Sequence, residues 1–213
     1  MPATIRILLA LSFLSVLNAC IEAPTIKDEP SSEFAAEGLH PVKSSGFEAA
    51  YVRPDASLPF YRAVNIEAMD VANVHVTNTT APGTMRRDWQ ITAERETNLQ
   101  GAWTRATDRA FASYERPGTG DKVLRVAAAL TQLAPGRTSL ASQGVPGAAG
   151  ASMDTVDVSA EFRLYDQASG DLLAVIRDRR TIGMAQWSRA AGADMISLFN
   201  SWAALLHTRV SGR

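Results

Sequence analysis

The chain has 213 residues, 46% of them hydrophobic and 20% charged, enough for one ordinary globular domain once a leader and a linker are set aside. Its formal net charge is −1, and from Gly46 onward 18 basic residues face 17 acidic ones. That balance excludes the strong basic excess of a nucleic-acid binder. A single cysteine, Cys20, excludes an intramolecular disulfide.

The first residues read as an export address. Arg6 precedes an uncharged apolar run from Ile7 to Leu17, too short to span a bilayer. Leu17-Asn18-Ala19-Cys20 follows and resembles the lipobox of bacterial lipoproteins. Cleavage between Ala19 and Cys20 is expected, with a diacylglycerol and an N-acyl chain on Cys20, because several chains make a stable anchor where one is marginal. The competing reading is an ordinary secretory leader with an incidental cysteine. Asp just behind the cysteine would resemble an inner-membrane retention signal. Ile21-Glu22 stands there instead, which favours the outer membrane, facing the periplasm.

Residues 20–45 carry Pro24, Pro30 and Pro41, the pair Ser31-Ser32 and five acidic side chains, with no apolar period. This composition predicts a flexible tether. Residues 46–213 then form a single domain. Tyr61 to Val76 predicts a first strand with a phase change at Ala68-Met69. From Thr92 to Tyr114 the period is helical, with Leu99, Ala102, Trp103, Ala106 and Phe111 on one stripe. Lys122 to Leu133 alternates as a second strand. Pro135 to Met153 is rich in Gly, Ala and Ser and reads as a mobile loop.

Val156, Val158, Ala160, Phe162 and Leu164 alternate with Asp157, Ser159, Glu161, Arg163 and Tyr165, the clearest strand pattern in the chain. Asp166 to Gly170 predicts a turn, and Leu172 to Ile176 a fourth strand. A last helix runs from about Arg189 to Val210, where Met195, Leu198, Phe199, Trp202 and Leu206 share a stripe. Trp89 and Trp187 stand just before the two helices, placed to staple the incoming chain. The order β-α-β-β-β-α predicts an α+β two-layer sandwich: about four strands in a mixed sheet, with both helices on one face.

Three patches carry a resemblance to a known family. Tyr51-Val52-Arg53-Pro54-Asp55 with Tyr61-Arg62-Ala63-Val64 looks like its opening. Tyr165 to Leu173, followed by Asp178-Arg179-Arg180, looks like its hairpin. Phe199-Asn200-Ser201-Trp202-Ala203 looks like its final helix. The chain thus resembles the bacterial lipoprotein family catalogued as domain of unknown function 3313, a resemblance that implies no activity.

No nucleophile elbow, phosphate loop or dinucleotide fingerprint is present. His40, His75 and His207 lack metal-ligand spacing, so neither a metal nor a cofactor beyond the lipid is expected. Asp154, Asp157 and Glu161 read as a solvated strand face rather than an acid–base pair. Arg163, Arg177, Arg179 and Arg180 form the candidate interaction patch, if register brings their guanidinium groups together on the open sheet face. Pairing with Asp157, Glu161, Asp166 and Asp178 is the competing reading and the favoured one. The expected function is an anchored, non-enzymatic module that docks an envelope protein. The alternative is a hydrolase or binding protein acting on cell-wall glycan, and a lipid carrier ranks last.

Overall fold

The computed structural model describes residues 22–80, 83–115, 122–139, 144, 146–147, 150–183 and 193–212. In chain order it contains β1 (Thr25–Ile26), β2 (His40–Lys43), β3 (Ala49–Val52), β4 (Ala63–Ile66), β5 (His75–Val76), α1 (Ala93–Ala110), β6 (Val123–Ser139), β7 (Ser152–Asp166), β8 (Leu172–Gly183) and α2 (Ala193–Ser211). One sheet runs β1-β2-β3-β8-β7-β6-β4, with β5 also on β6. All neighbours are antiparallel except β4 and β5, which run parallel to β6.

Alternation builds the centre. Val156, Val158, Ala160, Phe162 and Leu164 of β7 are buried, and the polar residues between them are partly exposed. Phe162 fixes the layer order. Its ring stacks on Trp103 of α1 and meets Trp202 of α2 edge-on, both at 5.6 Å between centroids. Both helices therefore lie on one sheet face, as the sequence predicts. Thr92 caps α1 by accepting a hydrogen bond from the Arg95 amide at 3.3 Å, and Glu94 and Glu96 occupy the first turn. Trp89 is buried in a 3-10 turn ahead of α1. Trp187, Arg189, Ala191 and Gly192 lie outside the described residues. Among the described residues no helix is long and apolar enough to cross a membrane.

Three expectations need correction. The sheet has eight strands, not about four. The additional ones are two to four residues long, too short for alternation to register in the sequence. Next, residues 25–43, expected as tether, belong to the fold. β1 and β2 extend the sheet, and a 3-10 turn at Ser32–Phe34 crosses the face opposite the helices. Two apolar residues hold it there: Phe34 and Leu39 are buried with Val175, and the Phe34 ring lies 5.0 Å from Tyr51. Finally, the expected loop from Pro135 to Met153 is shorter than that, because residues 135–139 and 152–153 are strand. β6 and β7 stay in register to Ser139↔Ser152, reinforced by Arg137–Asp154 at 3.0 Å and paired hydroxyls of Thr138 and Thr155 at 3.0 Å.

The first predicted strand is interrupted where its phase changes. The chain leaves β4, touches β6 again at Asp70↔Ala129, and returns as β5, turning Met69 and Val71 into the core on the way.

Candidate functional site

β8 alternates as β7 does, and this divides the four arginines. Val175, on the Phe34 side, shares its face with Arg177 and Arg179, and Arg163 of β7 lies opposite Val175. Arg180 falls on the helix side with Asp178. The patch expected on one face is thus three residues on the open face and one behind it.

All four are ion-paired. Arg177 bonds Glu33 and Glu161, each at 2.7 Å, and Arg163 bonds the other Glu161 oxygen at 2.7 Å. Arg179 reaches Glu48 at 2.9 Å, and Arg180 reaches Asp178 at 2.6 Å. Half-burial pushes the Glu161 carboxyl up, but hydrogen bonds from Arg177 and Arg163 outweigh that and hold it below the usual carboxylate range. The Arg177 guanidinium likewise lowers Glu33. The sequence points to neither Glu33 nor Glu48 as a partner, because contacts across the sheet leave no local spacing signal.

The face continues with Arg125, whose guanidinium sits 4.1 Å from the Tyr165 ring centroid and 2.9 Å from Glu67. It is an interlocked polar surface rather than a field of free cations. Asp154 pairs with Arg137, and Asp157 accepts from the Thr181 hydroxyl. Neither sits beside Glu161 as an acid–base couple.

The patches that carry the family resemblance meet in space. Tyr61 donates its hydroxyl to Asp166 at 2.7 Å, and Asp166 also accepts from the Ala168 and Ser169 amides at 2.8 and 3.0 Å. Those bonds, the Ser169 amide foremost, lower the Asp166 carboxyl, while burial and then Asp166 itself push the Tyr61 hydroxyl up. Gly170 completes the turn with φ +79°. Arg53 bridges Asp55 at 3.0 Å and Asp171 at 3.9 Å. Asp178 accepts from the Trp202 indole at 2.7 Å and the Glu48 amide at 2.9 Å. These residues join strand to strand and sheet to helix. Their task is to hold the fold.

The histidines are dispersed. His40 Nδ1 donates to the Lys27 carbonyl at 2.8 Å, His75 is exposed in β5, and His207 packs edge-on to Phe111 and Tyr114. Ala19 and Cys20 lie outside the described residues.

One concave surface went unseen in the sequence. Between the outer edge of β4 and the C-terminal half of α1 lies a groove of about 530 Å³, lined by Val64, Ile66, Asp108, Phe111, Tyr114 and Glu115 among others. Its walls come from separate stretches of the chain and have no shared motif. A second, apolar hollow of about 210 Å³ lies between β1–β3 and the end of α2, lined by Ile26, Val42, Phe47, Leu58 and Ile176.

An α+β domain with two helices on one face of a large mixed sheet, tied by polar joints, is the class the structure defines. The chain belongs to the family described as Protein of unknown function (DUF3313), whose profile matches residues 30–206. No curated protein matches the sequence. Among solved structures it is similar to a PelC dodecamer from Paraburkholderia phytofirmans, at 11% identity and TM-score 0.38 over 68% of this chain and 88% of that one. It is also similar to protein XCC0632 from Xanthomonas campestris, of family DUF330, at 11% identity and TM-score 0.41 over 71% and 88%.

Proposed function

We propose that the protein is an envelope lipoprotein, fixed by lipid on Cys20 to the periplasmic face of the outer membrane, whose domain docks a protein partner. The observation that carries this reading is the placement of the two sheet edges. The chain enters the fold at β1, only a few residues after Cys20, and β1 is one edge of the sheet. β4 is at the other edge, roughly 29 Å away at about 4.8 Å per strand. Anchoring at one edge leaves the other to meet whatever lies beside the membrane. The arginine surface does not favour the glycan-directed alternative, because each of its four guanidinium groups already bonds a carboxylate.

The test is photo-crosslinking in living cells, with a photoreactive side chain placed along the sheet edges of the full-length protein. A discrete partner band that disappears when Cys20→Ser releases the protein from the membrane supports the reading. Cys20→Ser protein that stays membrane-bound, or the lack of any discrete adduct, refutes it.

A further inference from the structure

We infer that the apolar hollow between β1–β3 and the end of α2 takes one acyl chain of the lipid on Cys20, folded back onto the domain that carries it. This rests on the lipoprotein reading above and gives the anchor a fixed seat on the fold.

The width of the sheet makes the hollow. From β1 to β4 it spans roughly 29 Å. Two helices, each about 10–12 Å across with side chains, cover roughly 20–24 Å of that. The strands at the β1 edge therefore reach past α2, and among the described residues no helix covers their helix-side face. Register lines this overhang with apolar residues. Ile26 stands opposite Val42, and the pairs His40↔Val52 and Pro41↔Tyr51 bring Val42 level with Ala50. Ala50 stands opposite Ile176, and Ile176 opposite Phe162. One apolar row thus runs from the centre of the core to the sheet edge, where Ile26 is 46% exposed.

The polar groups of the wall are engaged elsewhere. Arg209 donates from Nε to the Ser45 carbonyl at 2.7 Å, and the Ser45 hydroxyl accepts from the Phe47 amide at 3.3 Å. The Tyr51 ring packs against Phe34 on the other side of the sheet. What remains suits a hydrocarbon, which needs no hydrogen bonds. The space of about 210 Å³ holds on the order of seven methylene-sized groups at roughly 30 Å³ each, a part of one acyl chain.

The start of the chain selects this occupant. The Ser44 hydroxyl donates to the Glu22 carboxylate at 2.9 Å, which pins Glu22 beside the hollow, since Pro24 and Ser45 both line it. Two residue steps separate Glu22 from Cys20, at most about 7 Å of extended chain. The tether therefore holds every acyl chain of Cys20 near the mouth at high effective concentration. A chain gains little by leaving one apolar medium for another. The gain comes from Ile26 and Val42, which lose contact with water. The chains left in the bilayer still anchor the protein, because two suffice where one is marginal.

The test uses cells that make the full-length protein and are fed a palmitate analogue bearing a diazirine. After illumination the mature protein is purified and digested, and its adducts are identified by mass spectrometry. The expected product joins the N-terminal peptide, through its own lipid, to the segment from Val42 to Leu58. Ala50→Phe fills the hollow and is expected to cut the yield at least roughly fivefold. If that variant fails to fold, Ile26→Glu serves: the position is half-exposed, and the new carboxylate at the rim opposes an acyl chain. An acylated N-terminal peptide without an adduct in that segment, or a yield that the folded variant leaves unchanged, overturns the inference. An adduct there with the mass of a phospholipid overturns it by making bilayer lipid the occupant, and one joining two polypeptides does so by making a second copy the occupant. An N-terminal peptide that carries no acyl chain removes the lipoprotein reading as well, whereas an acylated peptide without the adduct removes only the seat.

Discussion

Trp202 donates its indole N–H to Asp178 across 2.7 Å, and both side chains are almost wholly shut off from water. The Glu48 amide and Arg180 supply the other bonds to the Asp178 carboxyl group. A buried acceptor with three donors joins β8, α2 and the start of β3. Asp178→Ala strands the indole and the amide without an acceptor, and should cost about 3 kcal/mol. Trp202→Phe removes one donor and should cost about 2 kcal/mol. Urea titration of each variant checks both. A loss under about half a kcal/mol for Asp178→Ala would show the joint to be incidental.

Phe162 is the ring that touches a tryptophan from each helix. Phe162→Ala opens a cavity under Trp103 and Trp202 together and should lower stability by about 4 kcal/mol. Tryptophan fluorescence should shift to the red in the folded variant if the cavity admits water. An unshifted spectrum with near-native stability would mean that the helices close over the gap.

The stretch before β2 is testable as structure rather than tether. Phe34→Ala removes its main apolar hold on Val175 and Tyr51 and should speed proteolytic cleavage between about residues 28 and 38. Equal cleavage rates in variant and parent would return this stretch to the status of a linker.

Glu161 and Asp166 give the acid limb of stability its shape. Both carboxyls are held lower in the folded chain than unfolded, where they titrate near about 4.3 and 3.9. The stabilisation they supply is complete above those values and is lost as pH falls through the lower folded ones. Glu161→Gln should therefore be less stable than the parent at about pH 6, and the gap should narrow toward about pH 3. Urea midpoints that stay parallel across that range would exclude Glu161 as a source of the acid sensitivity.

Much of the centre was legible in the sequence because its periods are long. Five apolar residues on β7 and the stripes through Trp103 and Trp202 dictate a half-buried strand and two helices on one face. What was hidden depends on partners far along the chain. β1 and β2 have too few residues to show a period, and Phe34 looks exposed until Val175 and Tyr51 are beside it. The arginines were seen as a group, but β8 parity sends Arg180 to the other side of the sheet from Arg177 and Arg179. The groove beside β4 was invisible because its two walls, β4 and the end of α1, come from separate stretches of the chain with no shared motif.

The bond from the Glu48 amide to Asp178 links positions 130 apart, and β3 finds its ladder partner toward the C-terminus only in β8. The opening strands thus wait for nearly the whole chain before they can join the main sheet. Local pieces such as the β6–β7 hairpin close early, and the N-terminal edge closes at the end, over the longest loop. Whatever handles the beginning of this polypeptide first meets an unstructured strand, and the sheet is sealed at its N-terminal edge only after β8 has been made.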